Sequence, residues 1–376
     1  MSKPASGGRM GAFPWQGACL LAAFALIACT AGPGGSSGAA SAWIQITPDM
    51  AGVTLSDVTP SGTGFEAVGT ALGASNAQKG EAFTSPDGRT WTAAGNEAFK
   101  DATLGAVAAV HEGFVAVGAG GCSLECGGFR SWFSADGTTW AGPTRATTLD
   151  EGRGIGLAED GSTIVAIATE LIDPSVNKNR GRVFLSTDAK AWTDPLAADA
   201  LPQVSPAGIA TDGGTGLVVV GSTISEAGTH NGGAWRSTDG HSWSAATDDG
   251  SFKGALLMAV VHGTAGYIAV GTTGVDGAVW SSSDGATWSR VDGGAFAGSP
   301  LVDVATNGAG YLAIGRGANG GAAWTSTDGK SWRSAGTIPG SEGMKFVAVA
   351  IGSTASIIVG GAAGTPSGVV WLGPLP

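Results

Sequence analysis

Charged residues are scarce in this chain, and positive charge is the scarcer sign. Only 13% of the 376 residues are Asp, Glu, Lys or Arg, and 19 basic residues face 30 acidic ones, for a net charge of -11. No run of Lys or Arg could build a basic groove, and a negative surface repels phosphate backbones. We therefore expect no nucleic-acid partner.

Histidine, cysteine and tyrosine are also rare, with four, four and two copies. The histidines (His111, His230, His241 and His262) are scattered without the spacing of metal ligands. No nucleophile elbow and no phosphate-binding loop occurs in the sequence. We expect neither a metal nor an organic cofactor.

Apolar residues, glycine and tryptophan are abundant instead. Apolar residues make up 43% of the chain, and there are 66 glycines and 13 tryptophans. A disordered chain has few apolar residues and much charge, so this composition predicts a packed core. The glycines lack the three-residue period of collagen.

The first 28 residues read as an export signal. Lys3 and Arg9 precede a short apolar segment, Gly17 to Ala28, which is too short to span a bilayer. The segment ends in Leu26-Ile27-Ala28-Cys29, which resembles the bacterial lipobox. That resemblance implies cleavage before Cys29 and a lipid on its thiol. The alternative is an ordinary secretory signal with Cys29 unmodified.

The next segment has the composition of a tether. Residues 30–41 are rich in Gly, Ser and Ala, and a flexible chain of this length reaches about 20 Å. We therefore predict a lipoprotein signal peptide at 1–28, a lipidated Cys and tether at 29–42, and a folded body at 43–376. The predicted location is outside the cytoplasm, with the lipid anchored in the bacterial cell membrane.

Two cysteines remain in the body, Cys122 and Cys126. Outside the reducing cytoplasm a close pair is most simply a disulfide that closes a small loop. The alternative is a metal site, but two thiols need two further ligands, and the nearest histidine is His111. We favour the disulfide.

One seven-residue motif recurs six times at intervals of 44 to 52 residues. Each copy begins with Ser, has Asp at its third position and ends with Trp. The copies are Ser85–Trp91, Ser134–Trp140, Ser186–Trp192, Ser237–Trp243, Ser282–Trp288 and Ser326–Trp332. Short β-rich runs bounded by glycine precede the copies, and no helical period is found in the body.

The aromatic residues indicate seven units rather than six. Two aromatic positions recur from unit to unit. The seventh unit ends before its second aromatic position, and we assign Trp43, from the other end of the body, to that position. The first position holds Phe83, Trp132, Phe184, Trp235, Trp280, Trp324 and Trp371; the second holds Trp43, Trp91, Trp140, Trp192, Trp243, Trp288 and Trp332.

Seven such units predict an all-β fold, a seven-bladed β-propeller. We expect the aromatics to fill the wedges between blades and residues 43–47 to form the outer strand of the last blade, which closes the ring and hides an edge. An open β-solenoid is the alternative, but it does not explain why the first and last units complete each other.

The repeated motif resembles the Asp-box, or BNR repeat, of sialidases and many non-catalytic propellers. All six copies lack one residue between Asp and Gly, and Ala189 replaces the Gly of the third copy. The resemblance implies turns between the third and fourth strands, on the face opposite an active site. Asp, Gly and Ser are turn residues, so the following aspartates are interpreted as structural: Asp87, Asp136, Asp188, Asp239, Asp284 and Asp328.

The opposite face is then formed by the connections between second and third strands, which are long in blades 1–4 and short in blades 5–7. Variable loops on a rigid frame commonly carry binding sites. Candidate binding residues are Lys79, Arg130, Arg153, Asp173, Lys178, Arg180, Arg182, His230, Asn231 and Arg316. The alternative is that these loops are only solvated and tolerant of insertion.

Enzymatic activity of the sialidase type would need a tyrosine nucleophile. The two tyrosines, Tyr267 and Tyr311, occupy a repeat position that elsewhere holds Phe65 and Phe114, so we interpret them as core residues and assign no catalytic residue. Glu66 stands where other units have aliphatic residues, and it would either line the channel as a buried acid or face solvent.

These observations favour a membrane-anchored, non-catalytic propeller that binds a protein partner or an envelope component as a monomer. The alternative is a glycan-binding protein or a sialidase-like glycoside hydrolase.

Overall fold

The computed structural model describes residues 42–73, 77–94, 97–120, 128–145, 152–173, 178–194, 201, 204–224, 229–291, 294–317, 320–362 and 364–376. The chain divides into two compact units, Met1–Ala39 and Ala40–Pro376. All the described residues belong to the second unit.

The glycine-bounded runs form strands, and the described strands make seven sheets. Six of these are antiparallel meanders, and one also contains a short parallel pair. The innermost strands are β2 (Val53–Ser61), β6 (Ala102–Val110), β10 (Arg153–Asp160), β13 (Val204–Thr211), β18 (Ala255–Gly263), β22 (Leu301–Thr306) and β26 (Met344–Ile351). The second strands are β3 (Gly64–Leu72), β7 (Gly113–Gly120), β11 (Thr163–Asp173), β14 (Leu217–Ile224), β19 (Gly266–Thr273), β23 (Tyr311–Gly317) and β27 (Ser356–Ala362).

The outer half of each blade completes the sheet. The third strands are β4 (Gln78–Ser85), β8 (Phe129–Ser134), β12 (Lys178–Ser186), β15 (His230–Ser237), β20 (Asp276–Ser282), β24 (Gly320–Ser326) and β28 (Gly368–Gly373). The outermost strands are β5 (Thr92–Ala93), β9 (Ala141–Arg145), β16 (Ser244–Ala245), β21 (Thr287–Val291), β25 (Arg333–Thr337) and β1 (Ile44–Ile46), and β17 (Thr247–Asp248) runs parallel to β21. In blade 3 the described residues include an outer bridge between Leu185 and Thr193. Short 3₁₀ turns lie at Glu97–Phe99 and Gly294–Phe296.

The inner strands close into a ring. Each inner strand contacts that of the next blade, and β26 of blade 7 contacts β2 of blade 1. The prediction of an all-β, seven-bladed propeller is confirmed. Within blade 7, β1 pairs antiparallel with β28, so that Ile44 lies opposite Leu372 and Gln45 opposite Trp371.

The core is divided among the blade interfaces. Seven apolar clusters are found, one between each pair of neighbouring blades. Between blades 1 and 2, for example, the Phe99 ring lies 5.6 Å from that of Trp132 and 5.4 Å from that of Trp140. Large rings suit this position because the wedge between two twisted sheets widens toward the rim.

The two aromatic positions differ in burial. Every residue of the first position is buried, as expected for wedge fillers. At the second position Trp91, Trp243 and Trp332 are only half-buried, but each still packs against the apolar cluster between two blades. Their indole N–H groups donate to the carbonyl oxygen of the turn glycine at 3.1 Å, which holds each ring against its turn at the rim.

Candidate binding face

The propeller has two chemically different ends. In an antiparallel meander the hairpin between the second and third strands lies at the same end as the start of the inner strand. We call this end the hairpin face, and the opposite end, which carries the six Ser-x-Asp turns, the box face. The chain enters β1 from the box face, and Pro376 packs beside Gly310 at that same face.

The box turns are held by one repeated hydrogen-bond pattern. One oxygen of each aspartate accepts two backbone N–H bonds of 2.6 to 3.1 Å, and the serine hydroxyl donates to the same oxygen. These bonds favour the ionised form and lower the pKa of every box aspartate, that of Asp136 to about 2. A carboxylate engaged in this way is poorly suited to accept a catalytic proton.

The ten candidate binding residues were expected in loops, and all ten lie in strands. The second and third strands of blades 1, 3 and 4 continue as paired arms to Leu72–Gln78, Asp173–Lys178 and Ile224–His230. These arms contain no proline before their tips, so no backbone N–H is missing from the hydrogen-bond ladder. The side chains of Asp173 and Lys178 lie outside the described residues, as do Cys29, Cys122 and Cys126.

The two arginines of blade 3 are committed to an internal ion cluster. Arg180 contacts the Glu170 carboxylate at 2.7 Å and Arg182 contacts it at 3.1 Å. Arg182 also pairs with Asp194. Arg182 is buried, and Glu170 and Asp194 are largely covered. These guanidinium groups therefore brace the arm.

Three other candidates are partly engaged, two of them within their own strand and one with the next blade. Lys79 pairs with Glu81 at 3.0 Å. Arg130 donates to the carbonyl oxygens of Gly128 and Phe129, both at 3.0 Å. Asn231 accepts a bond from the Gly254 N–H at 3.0 Å, while the neighbouring His230 is exposed.

The remaining two candidates lie at the hairpin face. Arg153 begins the inner strand of blade 3, and its side chain is exposed although its surroundings partly desolvate the guanidinium and so lower its pKa. Arg316 lies near the end of the second strand of blade 6 and is exposed. The sequence did not single out a third exposed cation, Lys345, which takes in blade 7 the register position of Arg153. In the described part of the chain no carboxylate forms an ion pair with any of the three. The signal that would have found Lys345 is its alignment with Arg153 in the inner strand.

Exposed apolar side chains occur at the same face. Leu72, Ile172 and Val275 lie at hairpin tips and expose 53%, 45% and 74% of their surface, and Met258 in the inner strand of blade 5 exposes 40%. Single exposed apolar residues are ordinary, but several on one face together with unpaired cations are typical of an interaction surface. This combination makes the hairpin face the candidate site.

The two tyrosines, the residue type that a sialidase uses as its nucleophile, are buried between blades. Tyr267 and Tyr311 are 2% and 1% exposed. The Tyr267 hydroxyl donates to the Gly216 carbonyl at 2.8 Å, and the Tyr311 hydroxyl accepts the Ala265 N–H at 3.0 Å. Both serve the contact between neighbouring blades.

Glu66 neither lines the channel nor faces solvent. It is 1% exposed and lies between blade 1 and the box turn of blade 2, against Gly137. One carboxylate oxygen has no hydrogen-bond partner among the described residues. Burial raises its pKa from 4.5 to about 8, with a further contribution from Asp136 and an opposing hydrogen bond from Thr84.

Metal-ligating side chains do not gather in the described residues: no group of three His, Cys, Asp or Glu there could hold an ion. Nor does that part of the chain contain a helix long and apolar enough to cross a membrane.

The fold and the site together define a seven-bladed β-propeller with a variable hairpin face. No protein-family model and no curated protein sequence matches the chain. Solved structures do match in fold. YCF48 bound to a D1 peptide gives a TM-score of 0.59 at 13% identity, covering 90% of this chain and 98% of that one.

Two enzyme structures are similar over part of their length. A Trypanosoma rangeli sialidase gives a TM-score of 0.51 at 11% identity, covering 88% of this chain and 58% of that one. A puromycin-hydrolysing peptidase of Mycobacterium tuberculosis gives 0.54 at 12% identity, covering 89% and 55%. At such identities the similarity establishes the propeller fold alone.

Proposed function

We propose that this chain is an extracytoplasmic lipoprotein whose propeller is a non-catalytic binding module, and that the hairpin face holds a protein partner. The partner surface is acidic and partly apolar. After the signal peptide at 1–28 is removed, Cys29 carries the lipid. Residues 29–42 form the tether between the lipid and the propeller.

One observation carries the proposal: the hairpin face presents Arg153, Arg316 and Lys345, none of which forms an ion pair with a described carboxylate. In a chain of net charge -11, three such cations are available to pair with carboxylates of a partner. Charge complementarity of this kind selects the partner and speeds its approach. The exposed side chains of Leu72, Ile172 and Val275 add apolar area to the face that carries these cations.

The comparisons and the repeat support a binding role. The YCF48 structure contains a bound peptide, so a propeller of this shape is able to hold a protein segment. Membership of the Asp-box family, suggested by the six motif copies, would give the box face a structural role and leave the hairpin face for ligands.

The sialidase-like alternative lacks its nucleophile. Its support is the shared fold and the repeated motif. Against it stand Tyr267 and Tyr311, which are buried and whose hydroxyl groups are bonded to the backbone. A tyrosine nucleophile must reach the sugar from an open site, and neither side chain does so.

Co-purification tests the proposal. The full chain is extracted with mild detergent from its host, and the proteins bound to it are compared with those bound to an Arg153→Glu, Arg316→Glu variant. We expect a stoichiometric partner that the variant loses. As a control, Arg89→Glu changes an exposed cation on the box face and should retain the partner. Equal recovery with all three chains would contradict the proposal.

A further inference from the structure

A second candidate site lies on the outer rim between blades 5 and 6, away from the hairpin face. There Val291 at the end of β21, the 3₁₀ turn with Phe296, and residues Lys330 to Arg333 of the last box line a cleft of about 310 Å³. This volume is at the lower end of the range for small-molecule sites, which suits a ligand with one or two small rings.

The floor of the cleft includes the half-buried ring of Trp332. Its N–H donates to the Gly329 carbonyl at 3.1 Å, so the group it offers to a ligand is its apolar ring. Phe296 packs edge-on against that ring, with centroids 5.9 Å apart and an interplanar angle of 66°. In blade 5 the equivalent Trp288 is fully buried, and β17 runs beside it.

Two cations flank the ring. Lys330 and Arg333 are both exposed, and no carboxylate of the described residues forms an ion pair with either. The nearby Asp328 is engaged by the Lys330 and Ser331 N–H groups and the Ser331 hydroxyl. The position after the box tryptophan is basic only in this copy; elsewhere it holds Thr92, Ala141, Thr193, Ser244 and Ser289.

We propose that this cleft binds an anionic sugar, a pyranose ring that carries a carboxylate. The apolar face of the ring would lie on Trp332, and the carboxylate would pair with Arg333, whose planar guanidinium suits two parallel bonds, and with Lys330. A neutral sugar would offer no charge to either cation, and a simple anion would leave the indole uncovered. The proposal is independent of the function assigned to the hairpin face.

The test measures binding of digalacturonic acid to the folded protein by calorimetry and by tryptophan fluorescence. The neutral disaccharide galactobiose and inorganic phosphate serve as comparison probes. We expect saturable binding of digalacturonic acid with a fluorescence change, at least tenfold weaker binding of galactobiose, and no fluorescence change with phosphate. Arg333→Ser installs the residue found at this position in blades 4 and 5, and it should weaken binding at least tenfold.

A matched control separates the cleft from general charge. Arg89→Ala removes a cation from the turn position in blade 1 that corresponds to Lys330, beside the half-buried Trp91 but next to Thr92 rather than a second cation. It should bind as the parent does. Three results would overturn the proposal: no binding of digalacturonic acid, equal binding by Arg333→Ser, or phosphate binding as tight as that of the acidic sugar.

Discussion

The carboxylate of Asp57 in the inner strand of blade 1 accepts the backbone N–H of Val107 in the inner strand of blade 2, at 2.9 Å. Its other oxygen accepts the N–H of Val58 at 2.8 Å. Asp303 repeats the arrangement between blades 6 and 7, with the Val349 N–H at 2.7 Å. Two aspartates thus fasten neighbouring blades at the wall of the channel.

These two aspartates predict a pH dependence of stability. Burial raises the pKa of each from 3.8 to about 7, against the effect of the backbone hydrogen bonds. Because the folded pKa is above the unfolded one, the stability each group contributes is complete below about pH 4 and is lost as the pH rises through 7. Asp57→Asn, which cannot ionise, should be less stable than the parent at pH 5 through loss of a hydrogen bond, and the gap should narrow by about 2–3 kcal/mol by pH 8.5.

Urea denaturation at the two pH values measures that gap. Ser56→Ala, at the neighbouring bulge of the same strand, serves as a control because neither side chain ionises in this range, and its gap should not change with pH. A constant gap for Asp57→Asn would show that Asp57 titrates near its ordinary value.

Replacing Glu66 by isoleucine should stabilise the protein. The equivalent residues Val115, Ile268 and Leu312 are buried and apolar. The raised pKa, about 8, means that the stability Glu66 contributes is complete below pH 4.5 and is lost as the pH rises through 8. The advantage of Glu66→Ile should therefore grow by about 2–4 kcal/mol between pH 5 and pH 9. Calorimetric melting at both pH values measures it.

Glu66→Gln is the matched control, because it keeps the shape and removes the charge. It should show the same growth with pH as Glu66→Ile. If the parent and both variants lost stability in parallel between pH 5 and pH 9, the assignment of a titrating buried Glu66 would be wrong.

Glycine at the fourth position of the box turn is predicted to be required for stability wherever a side chain of the neighbouring blade lies against it. Gly285 has a φ of 73°, and a Cβ there would lie 2.5 Å from a Val218 methyl group. Gly285→Ala should destabilise the fold by about 2 kcal/mol, from backbone strain and crowding. Gly336, with φ 93° in an open place, is the control: Gly336→Ala meets the strain without the crowding and should lose less. Equal losses would exclude a role for the Val218 contact.

Membrane attachment is predicted to depend on one thiol. Cys29→Ala should abolish incorporation of a radiolabelled fatty acid and release the protein from the membrane fraction. The control Cys19→Ala alters a cysteine within the predicted signal and should leave both unchanged. Labelled, membrane-bound protein in the Cys29→Ala variant would refute the lipoprotein assignment.

The architecture could be predicted from the sequence because large aromatic side chains mark each repeat. Tryptophans at fixed positions, such as Trp132 and Trp280, count the blades directly, and the place left for Trp43 indicated how the last blade is completed. The turns were equally accessible, since Ser, Asp and Gly at fixed offsets permit one local hydrogen-bond pattern.

Details set by register were not accessible from the sequence. Every inner strand carries a bulge, as between Leu55 and Asp57 in blade 1, and that extra residue brings Asp57 to the next blade. The candidate site was predicted only in part. Arg153 and Arg316 face solvent, but Arg180 and Arg182 pair with Glu170 across the hairpin. Predicting this pairing would have required the length of the paired arm, which the sequence does not show.

Site-specific photo-crosslinking in the native host tests the central claim, that the hairpin face binds a protein. A photoreactive residue is placed at Val275 on the hairpin tip of blade 5, and at Ser283 on the box face of the same blade. We predict a discrete protein crosslink from Val275 that disappears in an Arg153→Glu, Arg316→Glu background, and none from Ser283. The same product from both positions, or a product from Val275 that persists without the two arginines, would contradict the account.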